Sequence, residues 1–105
     1  MSTHIAVAER ELRLADGRAV RIAIGCPRSE AGGATCRFQI QGLQSPVDME
    51  ASQVDTLGAL IYAIDMAATA LHRSEEGKKG LLEWPFDPRP DLGLPEAPDL
   101  FDGDP

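Results

Sequence analysis

The sequence predicts an α+β domain: an antiparallel meander of three or four strands, one long helix packed across one face, and a proline-rich C-terminal tail. Three observations predict it. Apolar and polar residues alternate through residues 6–14, 18–24 and 35–41. A strong turn signal, Asp16-Gly17, separates the first two runs. Between Val54 and Leu71, apolar residues recur at alternating spacings of three and four.

In the first strand Ala8, Leu12 and Leu14 share one face, and Glu9, Glu11 and Arg13 the other. The returning strand, Arg18 to Ile24, carries Val20, Ile22 and Ile24 as its apolar set. Directly paired residues must share a face, and this parity selects the loop. A two-residue turn would set Leu12 against Arg21 and mix the faces. A three-residue loop, Ala15-Asp16-Gly17, sets Leu12 against Val20 and Arg10 against Ile22, with glycine at the left-handed bulge position. Arg10 is then the one residue out of pattern.

Pro27 to Gly33 reads as a loop. A third strand, Thr35–Gln41, has Cys36, Phe38 and Ile40 on one face, and a turn over Gly42–Pro46 leads to a short fourth strand at Val47–Glu50. Ser52 and Asp55 resemble an N-terminal capping pair, so the helix is expected from about Gln53 to about Ser74. Its stripe of Val54, Leu57, Ile61, Ile64, Ala68 and Leu71, with Leu60 and Ala67 beside it, is expected to face the sheet. Gly77 is a plausible stop, and Leu81–Trp84 suits one more short strand.

With 105 residues the chain supports one core and buries roughly 60–65% of its unfolded surface. Residues 1–84 are expected to form the domain. Residues 85–105 hold six of the eight prolines and a net charge of −5 out of −7. Proline fixes φ and removes backbone donors, so this stretch is expected as a tail. Its first part should dock through residues such as Trp84, Phe86, Leu92 and Leu94, and its last ten or so residues should be mobile.

The overall charge of −7 argues against nucleic-acid or anionic-membrane binding, both of which need basic surface. No apolar run approaches the roughly 20 residues that span a bilayer, and Met1-Ser2-Thr3-His4 opens no signal peptide. A cytoplasmic protein is expected. Two cysteines are too few for a secreted disulfide framework.

The side-chain chemistry is sparse. If Ile24 pairs with Phe38, Cys26 falls opposite Cys36; the register permits a disulfide, and a reducing compartment favours two inert thiols. Four zinc ligands in set spacing are missing, so no metal or other cofactor is expected. Asp65, Thr69 and His72 lie near one another on the helix, but Asp65 and His72 are two turns apart and no nucleophile completes a triad. No catalytic residue is therefore assigned, and no enzyme is expected. Two surfaces are candidates for interaction. One is the charged sheet face with Arg13, Arg21, Arg37 and Gln39, where arginines suit an anion. The other is the back of the helix, where Ala59, Ala63, Met66 and Ala70 form a small, uncharged stripe, to be covered by the tail, a second copy or another protein.

The run Arg10-Glu11-Leu12-x-Leu14-x-Asp16-Gly17-Arg18-x-Val20-x-Ile22-x-Ile24-Gly25-x-Pro27-Arg28 resembles a family of small bacterial proteins, a domain of unknown function. Cys36 with Phe38-Gln39-Ile40-x-Gly42-Leu43, Val54-Asp55 to Ala59-Leu60, and Gly80-Leu81-x-Glu83-Trp84 fit it too. The resemblance covers about residues 8–95. It implies a small cytoplasmic domain and brings no activity or site residue with it. From the residues themselves, the first expectation is a non-enzymatic protein-interaction module, acting on another protein or as a homodimer, and one form of it is an acidic immunity or antidote protein. The alternative is a small-molecule (anion) binding module or an accessory enzyme subunit.

Overall fold

Alternation and turn chemistry build the sheet as expected, and the computed structural model describes residues 6–86 and 92–94 of it and its surroundings. Strands β1 (Ala6–Leu14) and β2 (Ala19–Gly25) form the first hairpin. Leu12 pairs with Val20, Glu11 with Arg21 and Arg10 with Ile22, the register that parity selects. The loop closes through Gly17 N donating to Leu14 O at 2.8 Å and Leu14 N donating to Arg18 O at 2.8 Å. Gly17 sits at φ 95°, the left-handed conformation a bulge of this type needs.

The stretch after β2 is not a plain loop. Arg28–Glu30 forms a short strand, β3, against the start of β4 (Gly33–Gln41). Ala34 pairs with Ser29 on one side and Gln53 on the other, while Phe38 pairs with Ile24 and Met49. Thus β2 and β3 follow one edge of β4, and β5 (Val47–Gln53) follows the other. From Ile24 to Arg28 the chain takes four steps where β4 takes three, from Phe38 to Thr35. The extra residue is a bulge around Gly25–Pro27.

Asp55, not Ser52, caps the helix. Ser52 belongs to β5, and the Asp55 carboxylate accepts from Gly58 N at 2.8 Å to start α1 (Thr56–Arg73). Gly77 does not end α1. Ser74 does: its Oγ donates to Leu71 O at 2.6 Å and accepts from Gly77 N at 3.0 Å. It thereby also caps a one-turn helix, α2 (Glu75–Lys78), that contains Gly77. Glu76 accepts from Gln44 N at 2.7 Å and ties α2 to the β4–β5 loop; that backbone hydrogen bond holds its carboxyl below the ordinary range. Strand β6 (Leu82–Glu83) then adds to β1, pairing Leu82 with Leu14 and Glu83 with Arg13. All pairings are antiparallel, and the order across the sheet is β5, β4, β2 with β3, β1, β6.

The core lies between one sheet face and α1. Leu12, Val20, Ile22, Cys36, Phe38 and Ile40 supply the sheet side. The helix side is Ala59, Ala63, Ala67 and Leu71, each one turn from the next. This corrects the expected orientation of the first half of the helix, while Ala67, Ala68 and Leu71 are buried as expected. Val54, Leu57 and Ile61 are exposed, whereas Ala59 and Ala63, expected on the back, are fully buried, and Met66 and Ala70 are half-buried against the core. Large side chains already fill the sheet surface, so a row of alanines lets the helix axis come close without a void.

Beside the helix, the inner face of β1 is closed by the chain's later residues. The Arg10 guanidinium stacks on Trp84, 4.0 Å from the ring centroid. Its Nη1 donates to Leu92 O at 2.9 Å and Gly93 O at 3.0 Å. Leu92 is buried, so this part of the expected tail is docked. Phe86, expected to dock as well, is 87% exposed. The expected mobile end, and Leu100 and Phe101 with it, lies outside the described residues.

Gly42 follows β4 at φ 103°, and a Cβ there would stand 2.4 Å from the carbonyl oxygen of Ala19. Gly17 also has positive φ, yet a Cβ there meets nothing within 4 Å. Gly17→Ala should therefore lower stability by about 1 kcal/mol, the conformational strain alone. Gly42→Ala should lower it distinctly more, because backbone must move. Chemical denaturation of the two variants checks the order.

Candidate functional site

The local reasons for α1 determine what its outer face presents. With the Asp55 cap at one end and Ser74 at the other, residues 53–72 carry only two charges, Asp55 and Asp65. At about 100° per residue, Leu57 and Ile61 lie within 40° of each other and project away from Ala59 and Ala63. Val54 is 83% exposed, Leu57 65% and Ile61 37%. Ile64, on the same side, is half-buried. Full burial of such side chains is worth roughly 1.5–3 kcal/mol each. The fold forgoes most of that at Val54 and Leu57 and about a third of it at Ile61. Periodicity identifies these residues as part of one apolar stripe; the structure turns its first half outward and buries Ala68 and Leu71 of its second half.

Further along the same helix, Asp65 is only 4% exposed, and its Oδ1 has no hydrogen-bond partner. Burial raises its pKa above the ordinary carboxylate range. His72 and Thr69 are half-buried, and among the described residues no hydrogen bond links them to Asp65. The acid–base grouping weighed from the sequence is not assembled.

The open face of the sheet carries Glu9, Glu11, Arg13, Arg21, Arg37 and Gln39, as alternation requires. A shallow cleft of about 240 Å³ lies on it, lined by Glu9, Arg21, Ala23, Arg37 and Gln39 among others; Arg13 is not part of it. Arg37 forks onto Asp48, with Nε at 2.6 Å from Oδ1 and Nη2 also bonded to the carboxylate. Gln39 Nε2 donates to the same carboxylate at 3.1 Å. Arg21 reaches Glu9 diagonally at 3.9 Å rather than Glu11, its direct cross-strand partner. The strongest cation of this face is thus already matched by an anion of the neighbouring strand.

Cys26 and Cys36 are both free. The bulge at Gly25–Pro27 removes Cys26 from the ladder, and Cys36 pairs with Ala51 on β5 instead. Cys26 is exposed; Cys36 is buried, with its Sγ 3.3 Å from Gly25 O, and burial raises its thiol pKa. Among the described residues no group of three or more His, Cys, Asp and Glu side chains is placed to hold a metal ion. No described helix is long and apolar enough to cross a membrane.

A two-layer domain of this kind, one antiparallel sheet under one long helix, matches a known family model. Residues 8–96 fit the Domain of unknown function (DUF6968), and the chain belongs to that family. No curated protein and no solved structure matches the chain.

Two outcomes follow from these sites. A thiol reagent such as Ellman's should label one cysteine quickly and the second only on unfolding, and Cys26→Ser should remove the fast phase. Asp65→Asn should raise stability at pH 7 by about 1–3 kcal/mol, the scale of a buried unsatisfied polar group. Because the folded pKa of Asp65 is raised, the native state holds its proton to higher pH than the unfolded state. The wild type should regain stability as pH falls through that raised value, and the gap to the variant should close below the ordinary 3.8. Thermal melts of both proteins across pH 3–8 measure it.

Proposed function

We propose that this protein is a non-enzymatic protein-interaction module that docks through the outward stripe of α1, centred on Leu57 and Ile61. The observation that carries the reading is that stripe. Leucine and isoleucine stand in solvent while alanines occupy the core side of the same helix. A partner that covered Val54, Leu57, Ile61 and Ile64 would recover burial that the isolated fold leaves unrealised. Such a surface, read at positions i, i+3 and i+7 from Val54, suits a groove or a second helix.

The charge of the chain selects the partner's chemistry. At −7, two copies repel one another, whereas a basic protein is drawn in and its association accelerated. An acidic immunity or antidote protein, neutralising a basic target in the cytoplasm, is the form of the reading that this charge favours. Two free thiols suit a reducing compartment. The alternative, a small-anion module or accessory enzyme subunit acting through Arg13, Arg21 and Arg37, has less support, because Asp48 already engages Arg37.

The double variant Val54→Glu/Leu57→Glu should fold with an unchanged melting temperature, since both side chains are largely exposed. In capture from the native cell at low salt, the wild type should retain a basic protein that the variant does not, and salt should weaken the complex. Identical capture by both proteins would sink the proposal. So would a wild-type dimer in sedimentation equilibrium that the variant abolishes, because the stripe would then be a self-contact.

A further inference from the structure

We propose a second site, adjoining the docking stripe at Ile64: a crevice between α1 and the inner face of β1 and β2 that binds a small amphipathic carboxylate. The crevice has a volume of about 240 Å³ and is walled mainly by Ile22, Ile24, Ile64, Ala67 and Leu94. Arg10 also lines it, as do Ala8 and Glu9. The volume is below the ~300–1,000 Å³ of pockets for drug-sized ligands, so the ligand is a small one.

Arg10 decides its chemistry. The residue is half-buried on the apolar face of β1, where alternation calls for an aliphatic side chain. Its guanidinium has five N–H donors. Nη1 serves the carbonyls of Leu92 and Gly93, and the ring of Trp84 lies against the cation. Among the described residues, no carboxylate lies within ion-pairing distance of Arg10, and Nε and Nη2 make no hydrogen bond. Among the described residues that line the crevice the one acidic group, Glu9, reaches toward Arg21 at 3.9 Å. A partly desolvated cation with no anion among the described residues, beside an apolar hollow, is complementary to a ligand with a carboxylate head and a short hydrocarbon body. The unused Nε and Nη2 edge is the geometry that binds a carboxylate through two parallel hydrogen bonds. Carbonyl contacts through Nη1 and the Trp84 stack hold the guanidinium plane in place, so little ordering remains for the ligand to impose.

Trp84 is the sole tryptophan and touches Arg10, so its fluorescence reports on the site. Titration of the full chain with octanoate should give a saturable change, and octanol should bind about 10–100-fold more weakly, the worth of a charge-assisted hydrogen bond. Arg10→Gln should abolish the distinction between the two. Because that variant also disturbs the contacts to Leu92 and Gly93, Ala8→Phe provides a second arm. Ala8 is exposed at the lip of the crevice, so this variant should keep the wild-type melting temperature and lose octanoate affinity at least about tenfold. Absence of a saturable response to octanoate overturns the proposal. Equal affinity for octanoate and octanol, or unchanged affinity in Ala8→Phe, overturns it as well.

Discussion

The close seating of α1 on the sheet is the constraint from which the other surfaces follow. Ala59, Ala63 and Ala67 present almost no bulk, so Phe38, Ile40, Val20 and Leu12 can fill the layer between helix and sheet from below. Had the larger stripe faced inward, the core would have had to hold leucines and isoleucines from both layers, and overpacking of that kind costs about 1–3 kcal/mol. Small-against-large packing resolves this. Its corollary is that Leu57 and Ile61, in the first half of the helix, are left on the outside, while Leu71 is fully buried. The apolar outer stripe is therefore a direct consequence of how the core is filled.

The hairpin was legible because two independent signals agreed. Asp16-Gly17 located the turn, and side-chain parity selected the three-residue loop over a two-residue one. The span of α1 was legible too, within a few residues, from its spacing. The orientation of its first half was not. Both sides of this helix are apolar, and a periodicity of hydrophobicity weighs a leucine above an alanine, whereas the core here selected for size. Strand β3 escaped notice because Arg28-Ser29-Glu30 is polar and exposed throughout, so no alternation marks it. Ser52 was misplaced as a cap because β5 continues three residues beyond Glu50, to Gln53. Of the stripe residues, Val54, Leu57 and Ile61 were assigned the wrong neighbour, and Ala68 and Leu71 were correctly expected to be buried. The crevice beside Arg10 was out of reach, since its walls come from β1, β2, α1 and residues 93–94. Only the oddity of an arginine on an apolar face hinted at it.

Charge placement separates the two faces of the domain. On the open sheet face, acids and bases of adjacent strands meet one another: Arg37 with Asp48, Arg21 with Glu9, and Arg13 across from Glu83. Exposed pairs of this kind contribute little to stability, typically under about 1 kcal/mol. They do keep that face solvated and self-compensated. On the inner side Arg10 has no acidic partner within ion-pairing distance among the described residues, and it lies under the residues that follow β6.

Those residues also shape how the chain must assemble. The contact from Arg10 to Leu92 joins positions 82 apart in sequence, and β6 reaches β1 only after the whole helix has been crossed. During synthesis the first four strands can zip together from short-range hairpins. The outer edge of β1, and the arginine beside it, stay bare until the polypeptide past residue 90 leaves the ribosome. For that interval an unpaired strand edge next to apolar surface is open to wrong pairing, a hazard that a long-range closure of this kind carries. Closure through Leu82–Glu83 and Leu92–Gly93 therefore waits on the latest-made of the described residues.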